Sequence, residues 1–370
     1  MEVVTKKWRI IISGGGTGGH IYPAIAVAQT LQNRLNNEVE FLFVGASDRM
    51  EMEKVPKAGF TIIGLWISGI QRSFSLKNVL FPVKVFSAVL KSLFIINRFK
   101  PDLAIGFGGY ASGAMMYAAT LKGVPTLIHE QNSYAGITNK ILKNRVLKIA
   151  VAYDGMDRFF PPEKMVKTGN PVRLDICNLG NKKSEAISSF GLNPNKKTIL
   201  IIGGSLGAKT INESIEKDLL ILANAQVNVI WQTGKLFQSK QVEKMPADFS
   251  IKLETFIYEM DLAYAAADVV ISRAGALSIA ELAIAAKPCI LVPSPNVSED
   301  HQTKNAMALV NNNAAILVKD IEAKDTLVKA VLDLIDNEDM QLTLSKNIAK
   351  MAIPNAAELI VDELLKLKKI

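Results

Sequence analysis

Cysteine is scarce in this chain of 370 residues: Cys177 and Cys289 are the two, each in or near an apolar segment. A disulfide framework is therefore not expected, and a reducing cytoplasm is. No stretch of 18 uncharged apolar residues occurs, so no transmembrane helix is predicted. The opening residues, Met1-Glu2-Val3-Val4-Thr5-Lys6-Lys7, run straight into an apolar strand pattern and leave no room for a signal peptide. The spacing Asp-x-Asp is absent, so a metal held by paired carboxylates is not indicated; neither a metal site nor a cofactor is expected. Low-complexity tracts are missing as well.

Apolar residues make up 49% of the chain and charged residues 21%, the balance of a globular protein with a large core. The length suggests two domains. Lys+Arg 43 against Asp+Glu 35 gives +8, which favours anionic partners such as phosphates or an acidic membrane surface. No recognised nucleic-acid module or Arg-rich recognition helix accompanies that charge, so nucleic acid is not an expected partner.

The chain is organised around Arg9-Ile10-Ile11-Ile12-Ser13-Gly14-Gly15-Gly16-Thr17-Gly18-Gly19-His20. It reads as a short buried strand, a glycine-rich turn, and a helix from about Ile21 through Leu31. Glycines let a ligand approach the backbone, and the N-terminus of the following helix suits a phosphate. Five glycines in six positions are more than a tight turn needs. The turn formally fits G-x-G-x-x-G at Gly14, Gly16 and Gly19, the fingerprint of a dinucleotide site. Such a site wants an acid closing the second strand, to hold the ribose. Here that strand ends Val44-Gly45-Ala46 and the nearest acid, Asp48, falls in the loop, which weakens a nicotinamide-dependent oxidoreductase.

Further along, Asp102–Gly106 is a strand leading into a second glycine turn, Phe107–Gly113, and Pro125–Ile128 a strand ending in His129-Glu130-Gln131-Asn132. Ligands of open α/β sheets sit at such carboxyl ends, which makes that polar run a site candidate. Gly169–Arg173 reads as a hinge between halves. Then the opening pattern returns: Lys197–Ile202 and Gly203–Ala208 again give strand, glycine turn and helix. Two such units imply two nucleotide-binding-type α/β domains with a cleft between them. In the second, Ala267–Arg273 is a strand followed by small residues that open a helix, and Glu281 lies on its first turns. The three histidines, His20, His129 and His301, all fall at strand-to-helix loops.

A long helical pattern runs from about Ser75 to Lys100. Val79, Val83, Phe86, Leu90 and Leu93 recur at helical spacing and read as its core face. Lys77, Lys84, Lys91 and Arg98 recur every seven residues on an opposite stripe, with Leu80, Phe81 and Ile95 beside it. Pro82 either kinks this helix or marks its true start. A basic stripe edged with large apolar side chains suits an anionic bilayer surface.

The motifs GGGTGGH (Gly14 to His20), GFGGYASG (Gly106 to Gly113), HEQN (His129 to Asn132), GNPVR (Gly169 to Arg173), GGSLGA (Gly203 to Ala208), SRAGALSIAE (Ser272 to Glu281) and DHQTKNA (Asp300 to Ala306) run in order along nearly the whole chain. Together they resemble the peptidoglycan N-acetylglucosaminyltransferases of glycosyltransferase family 28. The resemblance implies a GT-B fold: two Rossmann-like, doubly wound parallel-sheet domains facing a central cleft. It implies an acceptor- and membrane-binding domain over 1–168, with the C-terminal helix 354–370 packing back onto it, and a UDP-N-acetylglucosamine-binding domain over 169–353. The activity implied is inverting transfer of N-acetylglucosamine to the C4 hydroxyl of undecaprenyl-diphospho-muramyl-pentapeptide, converting lipid I to lipid II at the cytoplasmic face of the inner membrane.

By the same resemblance, Thr17, Gly18, Gly19 and Asn132 meet the donor sugar. Arg173 and Ser205 hold the diphosphate, and Ile257 reads uracil through its backbone. Ala276, Leu277 and Ser278 cradle the phosphates at a helix start, Glu281 takes the ribose, and Gln302 the sugar hydroxyls. Leu206 stands where a Gln is frequent and Ala274 where a Ser is frequent. The reaction needs a base near the attacking hydroxyl. His20, beside the first glycine loop and of the residue type suited to general base catalysis near neutral pH, is the first candidate; Glu130 is the second. The alternatives are a UDP-sugar 2-epimerase on the same architecture, the oxidoreductase, and a membrane-surface binding module without catalysis.

Overall fold

Ile10, Ile11 and Ile12 have no exposed surface. Ile11 packs into the hydrophobic cluster on one face of a sheet, and Ile10 and Ile12 into the cluster on the other. A strand covered on both faces has no polar side to write into its sequence, which is why it reads as an unbroken apolar run. The structure is a computed structural model and describes residues 7–69, 80–204, 206–297 and 300–369. It divides into two units, one running to Val172 and taking in the chain's end from Asn355, the other spanning Arg173–Pro354.

The strands of the first unit are β1 (Trp8–Ser13), β2 (Val39–Ala46), β3 (Ile62–Leu65), β4 (Leu103–Gly106), β5 (Thr126–Glu130), β6 (Lys148–Val151) and β7 (Met165–Lys167). They form one sheet in the order β3-β2-β1-β4-β5-β6-β7, with every pair parallel. The second unit repeats the scheme with β8 (Thr198–Ile202), β9 (Asn228–Gln232), β10 (Ile251–Glu254), β11 (Val269–Ser272), β12 (Cys289–Leu291) and β13 (Ile316–Leu317). Their order is β10-β9-β8-β11-β12-β13, again parallel throughout. Both sheets are therefore doubly wound, as the family resemblance implies.

This topology positions the candidate site. The winding direction reverses between β1 and β4, and between β8 and β11, and such a switch point is where an open sheet leaves a crevice beyond its strand ends. Ser13 pairs with Gly106 at the first, and Ile202 with Ser272 at the second. The glycine-rich and small-residue turns singled out in the sequence begin at these four residues.

Two helices differ from the sequence reading. The first begins at Gly18, not Ile21, and runs to Arg34. Thr17 is extended and caps it, so Gly18, Gly19 and His20 form its first turn and the loop shortens to Gly14–Thr17. The third helix spans Phe81–Phe99, with Pro82 in its first turn, so the proline marks the start and does not kink the helix. Its core face is not the one expected. Val83, Phe86 and Leu90 are exposed, whereas Ala88, Ser92, Ile95 and Ile96 are buried, and Val85, Val89 and Leu93 pack beside them. The helix lies against Tyr110–Leu121, which presents Ala111, Ala114 and Ala118. Small side chains let two helices approach closely, so alanine and serine are buried and the larger hydrophobes are left outside. Val79 and Lys77 lie outside the described residues.

The C-terminal helix Ala356–Lys366 packs on the helix Gly18–Arg34 within the first unit, where Arg34 pairs with Asp362. Ile360 is fully buried among Ile10, Ile12 and Leu31 in that cluster. Truncating Ile360→Ala should destabilise the first unit by about 2–5 kcal/mol. The urea midpoint of its unfolding should fall with an unchanged slope; an unmoved midpoint would show that this helix adds nothing to the core.

Candidate functional site

At the end of β1 the chain turns through Gly16, whose φ of +85° suits glycine, into extended Thr17 and the helix. His20, in the first helical turn, places Nδ1 2.8 Å from the Gly15 carbonyl oxygen. A carbonyl can only accept, so Nδ1 carries the proton and the neutral ring keeps its lone pair on Nε2. Thr17 Oγ1 lies 3.4 Å from the same Nδ1. The ring packs beside Gly108 of the β4 turn, where an added Cβ would come within 3.1 Å of Nε2.

The glycine loop is less open than its composition suggests. A Cβ on Gly15 would lie 2.0 Å from the carboxylate of Glu51, and one on Gly109 would lie 2.6 Å from the Gly15 carbonyl. Glu51, in the helix Glu51–Lys57, is fully buried and accepts N–H bonds from Gly16 (3.0 Å) and Ala46 (2.9 Å). This acid was missed in the sequence because no motif spacing marks it. It also accounts for the end of β2: the carboxylate near that strand faces inward onto backbone amides and cannot serve a ribose.

The polar run after β5 forms a buried network. His129 donates from Nε2 to the Gly169 carbonyl (2.9 Å), and its Nδ1 accepts from the Gln131 amide (3.0 Å). Gln131 also donates to the Phe107 carbonyl, and Asn170 donates to that of Gln131. Glu130 receives N–H bonds from the Asn132 backbone and side chain on one oxygen, and from Gly136 and the Asn139 side chain on the other. Four donors on a buried carboxylate make Glu130 an anchor for the loop that presents Asn132, not a group poised to take a proton. Thr17, Gly18, Gly19 and His20 thus gather at the β1 turn, and Glu130 and Asn132 at the end of β5.

In the second unit, Arg173 lies 3.5 Å from Glu281 and reaches the Tyr258 carbonyl. Glu281 also accepts from the buried Tyr264 hydroxyl at 3.2 Å. Burial pushes the Glu281 carboxyl above its usual range, against the pull of Arg173, and burial likewise pushes the Tyr264 phenol well up. Glu281 projects from the helix Ala276–Ile284, whose first turn is Ala276, Leu277 and Ser278, where the helix dipole is most positive. Arg173, Glu281 and this helix start therefore share one site.

Two expected contacts need restating. The Ile257 N–H donates to Gln232 Oε1 at 2.9 Å, so of its backbone groups the carbonyl is the one that can meet a base. The Gln302 oxygen accepts from Ser294 N–H at 2.8 Å, which leaves its amide end for a hydroxyl. Ser205 lies outside the described residues. Gln232 was not singled out, although a polar residue at a strand's carboxyl end was the available signal. Its amide ties the Gly204 carbonyl to Ile257. Arg273 binds the carbonyls of Val292 and Pro293 and pairs with Asp320, bracing the turn after β11.

Two doubly wound parallel sheets, each with a glycine-rich or small-residue turn at its switch point, are the architecture of the GT-B fold. Residues 10–151 match the glycosyltransferase family 28 N-terminal domain, and residues 198–360 the family 28 C-terminal domain. The chain belongs to glycosyltransferase family 28. It is 55% identical over 362 residues (98% of this chain, 97% of the relative) to the UDP-N-acetylglucosamine--N-acetylmuramyl-(pentapeptide) pyrophosphoryl-undecaprenol N-acetylglucosamine transferase of Cytophaga hutchinsonii. Among solved structures, Acinetobacter baumannii MurG is 30% identical with a TM-score of 0.76, over 97% of this chain and 99% of that one. The UDP-GlcNAc 2-epimerase of Neisseria meningitidis, at 15% identity and a TM-score of 0.67 over 97% of this chain and 100% of that one, shares the fold alone.

His129 supplies a test of the buried network. Desolvation, with a smaller push from His20 and against the bond to Gly169, lowers its pKa from 6.5 to about 4. The unfolded chain therefore binds this proton from about pH 6.5 downward and the folded chain only near 4. The stabilisation is complete above pH 6.5 and is lost as pH falls towards 4, to the extent of roughly 3 kcal/mol at about 1.4 kcal/mol per unit. Replacing His129→Gln should flatten the stability profile in that window, measured by denaturant unfolding; parallel profiles would contradict the burial argument.

Proposed function

We propose that this chain is an inverting glycosyltransferase that moves N-acetylglucosamine from UDP-N-acetylglucosamine to the C4 hydroxyl of undecaprenyl-diphospho-muramyl-pentapeptide, making lipid II from lipid I in peptidoglycan synthesis. The observation that carries this is full-length identity of 55% to a relative named for that transfer. The epimerase reading rests on fold likeness only, at 15% identity.

In the second unit the donor diphosphate lies at the helix start formed by Ala276, Leu277 and Ser278, with Arg173 and Ser205 as further ligands. Glu281 accepts from the ribose diol, the Ile257 carbonyl meets the base, and the Gln302 amide meets a sugar hydroxyl. Arg173 and the helix dipole stabilise the charge that develops as UDP departs. The first unit receives the acceptor, and Thr17, Gly18, Gly19 and Asn132 contact the transferred sugar. The acceptor oxygen forms the new bond to the anomeric carbon as the bond from that carbon to the UDP oxygen breaks, and the hydroxyl proton passes to His20 Nε2. His20 is preferred to Glu130 because the Gly15 bond sets its tautomer, with the proton on Nδ1, while Glu130 is committed to the amides of its own loop.

The lipid acceptor calls for a membrane face. Among the described residues no helix is long and apolar enough to cross a membrane. On the helix Phe81–Phe99 the exposed Val83, Phe86, Leu90 and Phe94 form a stripe, with Phe86 66% and Phe94 63% exposed. At 100° per residue the row Lys84, Lys91 and Arg98 falls between this stripe and the buried face. Lys84 bonds Ser68 and lies 5.5 Å from the exposed Trp66 ring, while Lys91 bonds the Gly64 carbonyl. This surface rests on the anionic cytoplasmic leaflet, the apolar stripe entering the interface and the basic row meeting headgroups.

Release of UDP from UDP-N-acetylglucosamine should require a lipid I analogue; equal turnover without acceptor would instead favour the epimerase. His20→Ala should lose ~10²–10⁴ in kcat with UDP affinity retained, and undiminished turnover would remove it from the role of base. Phe86→Ser with Phe94→Ser should weaken binding to anionic vesicles by at least about tenfold, given the apolar area removed, while sparing a soluble acceptor analogue. Charge reversal of Lys84, Lys91 and Arg98 should weaken that binding too; vesicle affinity equal to the parent's in both variants would retire this face.

A further inference from the structure

The geometry points to Glu51 as the residue that positions His20, an inference whose catalytic half rests on the transferase reading above. The Gly16 N–H that donates to Glu51 and the Gly15 carbonyl that accepts from His20 belong to the same peptide unit. That unit is planar, so fixing its N–H end fixes the direction of its C=O end. The series runs from Glu51 Oε2 to Gly16 N–H at 3.0 Å, across one peptide, and from Gly15 O to His20 Nδ1 at 2.8 Å. A carboxylate thus sets the tautomer of a histidine from one peptide away.

Two observations and one physical consequence set this carboxylate apart from an ordinary buried acid. Its other oxygen is held by the Ala46 N–H at the end of β2, so the side chain cannot swing. It is wedged between two glycines: a Cβ on Gly15 would meet its Oε1 at 2.0 Å, and one on Gly45 its Cγ at 2.5 Å. Its bonds also polarise the peptide in the sense that strengthens the carbonyl as an acceptor, since linked hydrogen bonds reinforce one another. Both effects hold the imidazole with its proton on Nδ1 and its lone pair on Nε2.

The test is the isosteric exchange Glu51→Gln. Glutamine keeps the volume but offers one acceptor oxygen to two N–H groups, so one of the two bonds must fail. In the unaltered protein, nitrogen-15 spectra of the His20 ring should show the Nδ1–H form. In Glu51→Gln that preference should be lost, and kcat should fall within the ~10²–10⁴ range ascribed to a general base, with KM for UDP-N-acetylglucosamine unchanged. Combined with His20→Ala, Glu51→Gln should cost little more, because both act through one group. The inference is overturned by an Nε2–H ring in the unaltered protein, which needs no variant to fold. It is also overturned by a folded Glu51→Gln with unchanged tautomer and kcat, or by losses that multiply in the double variant. Full turnover in His20→Ala alongside tautomer loss in Glu51→Gln would overturn the base assignment alone and uphold the positioning.

Discussion

Backbone-to-backbone packing at the ends of the central strands is the constraint from which the rest of both units follows. At β1 the turn after β4 presses Gly109 onto the Gly15 carbonyl, and Gly14 abuts the Phe107 side chain, where an added Cβ would sit at 3.0 Å. At β8 the same device recurs: a Cβ on Gly207 would lie 2.1 Å from the Thr233 carbonyl, and one on Gly234 2.3 Å from that of Leu206. Neighbouring turns interlock through glycine because no side chain fits between them. The glycines that looked like room for a ligand are in large part a joint between two turns, and the faces left open are smaller than their number implies.

Such joints bury polar groups, and each needs a partner. His129 and Gln131 tie the end of β5 to Gly169 and Phe107, Glu130 gathers four N–H donors, and Gln232 links Gly204 to Ile257. A satisfied network of this kind holds loops rigidly, while one missing partner leaves an expensive buried group. These loops are thereby held in place by the chain's own bonds, which is what electrostatic stabilisation of a transition state requires of a site built on them.

The two α/β domains were legible because parallel strands covered on both faces leave continuous apolar runs, as at Ile10–Ile12 and Ile199–Ile202, and the doubly wound order came from the family resemblance. The turns were legible because few sequences place so many small residues between strand and helix. What was not legible depended on distance in the chain. Glu51 meets Gly16 across 35 residues and Gln232 meets Ile257 across 25, and no local spacing signals either pair. The third helix misled for a different reason. Ranking side chains by hydrophobicity selects Phe86 and Leu90, but close helix packing selects Ala88 and Ser92, so the most apolar face is the one turned outward.

The two units share a strand order and differ in the charge placed at their switch points, and that difference argues for how they divide the work. In the first, a buried carboxylate already occupies the Gly16 amide, so an arriving phosphate would meet a committed donor with a negative charge behind it. The sequence alone makes the β1 turn look like a phosphate cradle; Glu51 makes it a poor one and a good mount for a neutral imidazole. In the second unit Arg173 reaches the helix Ala276–Ile284 at Glu281, and that acid is paired with the arginine and with Tyr264. A diphosphate is favoured there by a cation and a helix dipole acting together. In the proposed reaction, leaving-group charge and proton acceptance would compete within one set of amides; a carboxylate behind one glycine turn and an arginine against the other unit's helix suit the two demands separately.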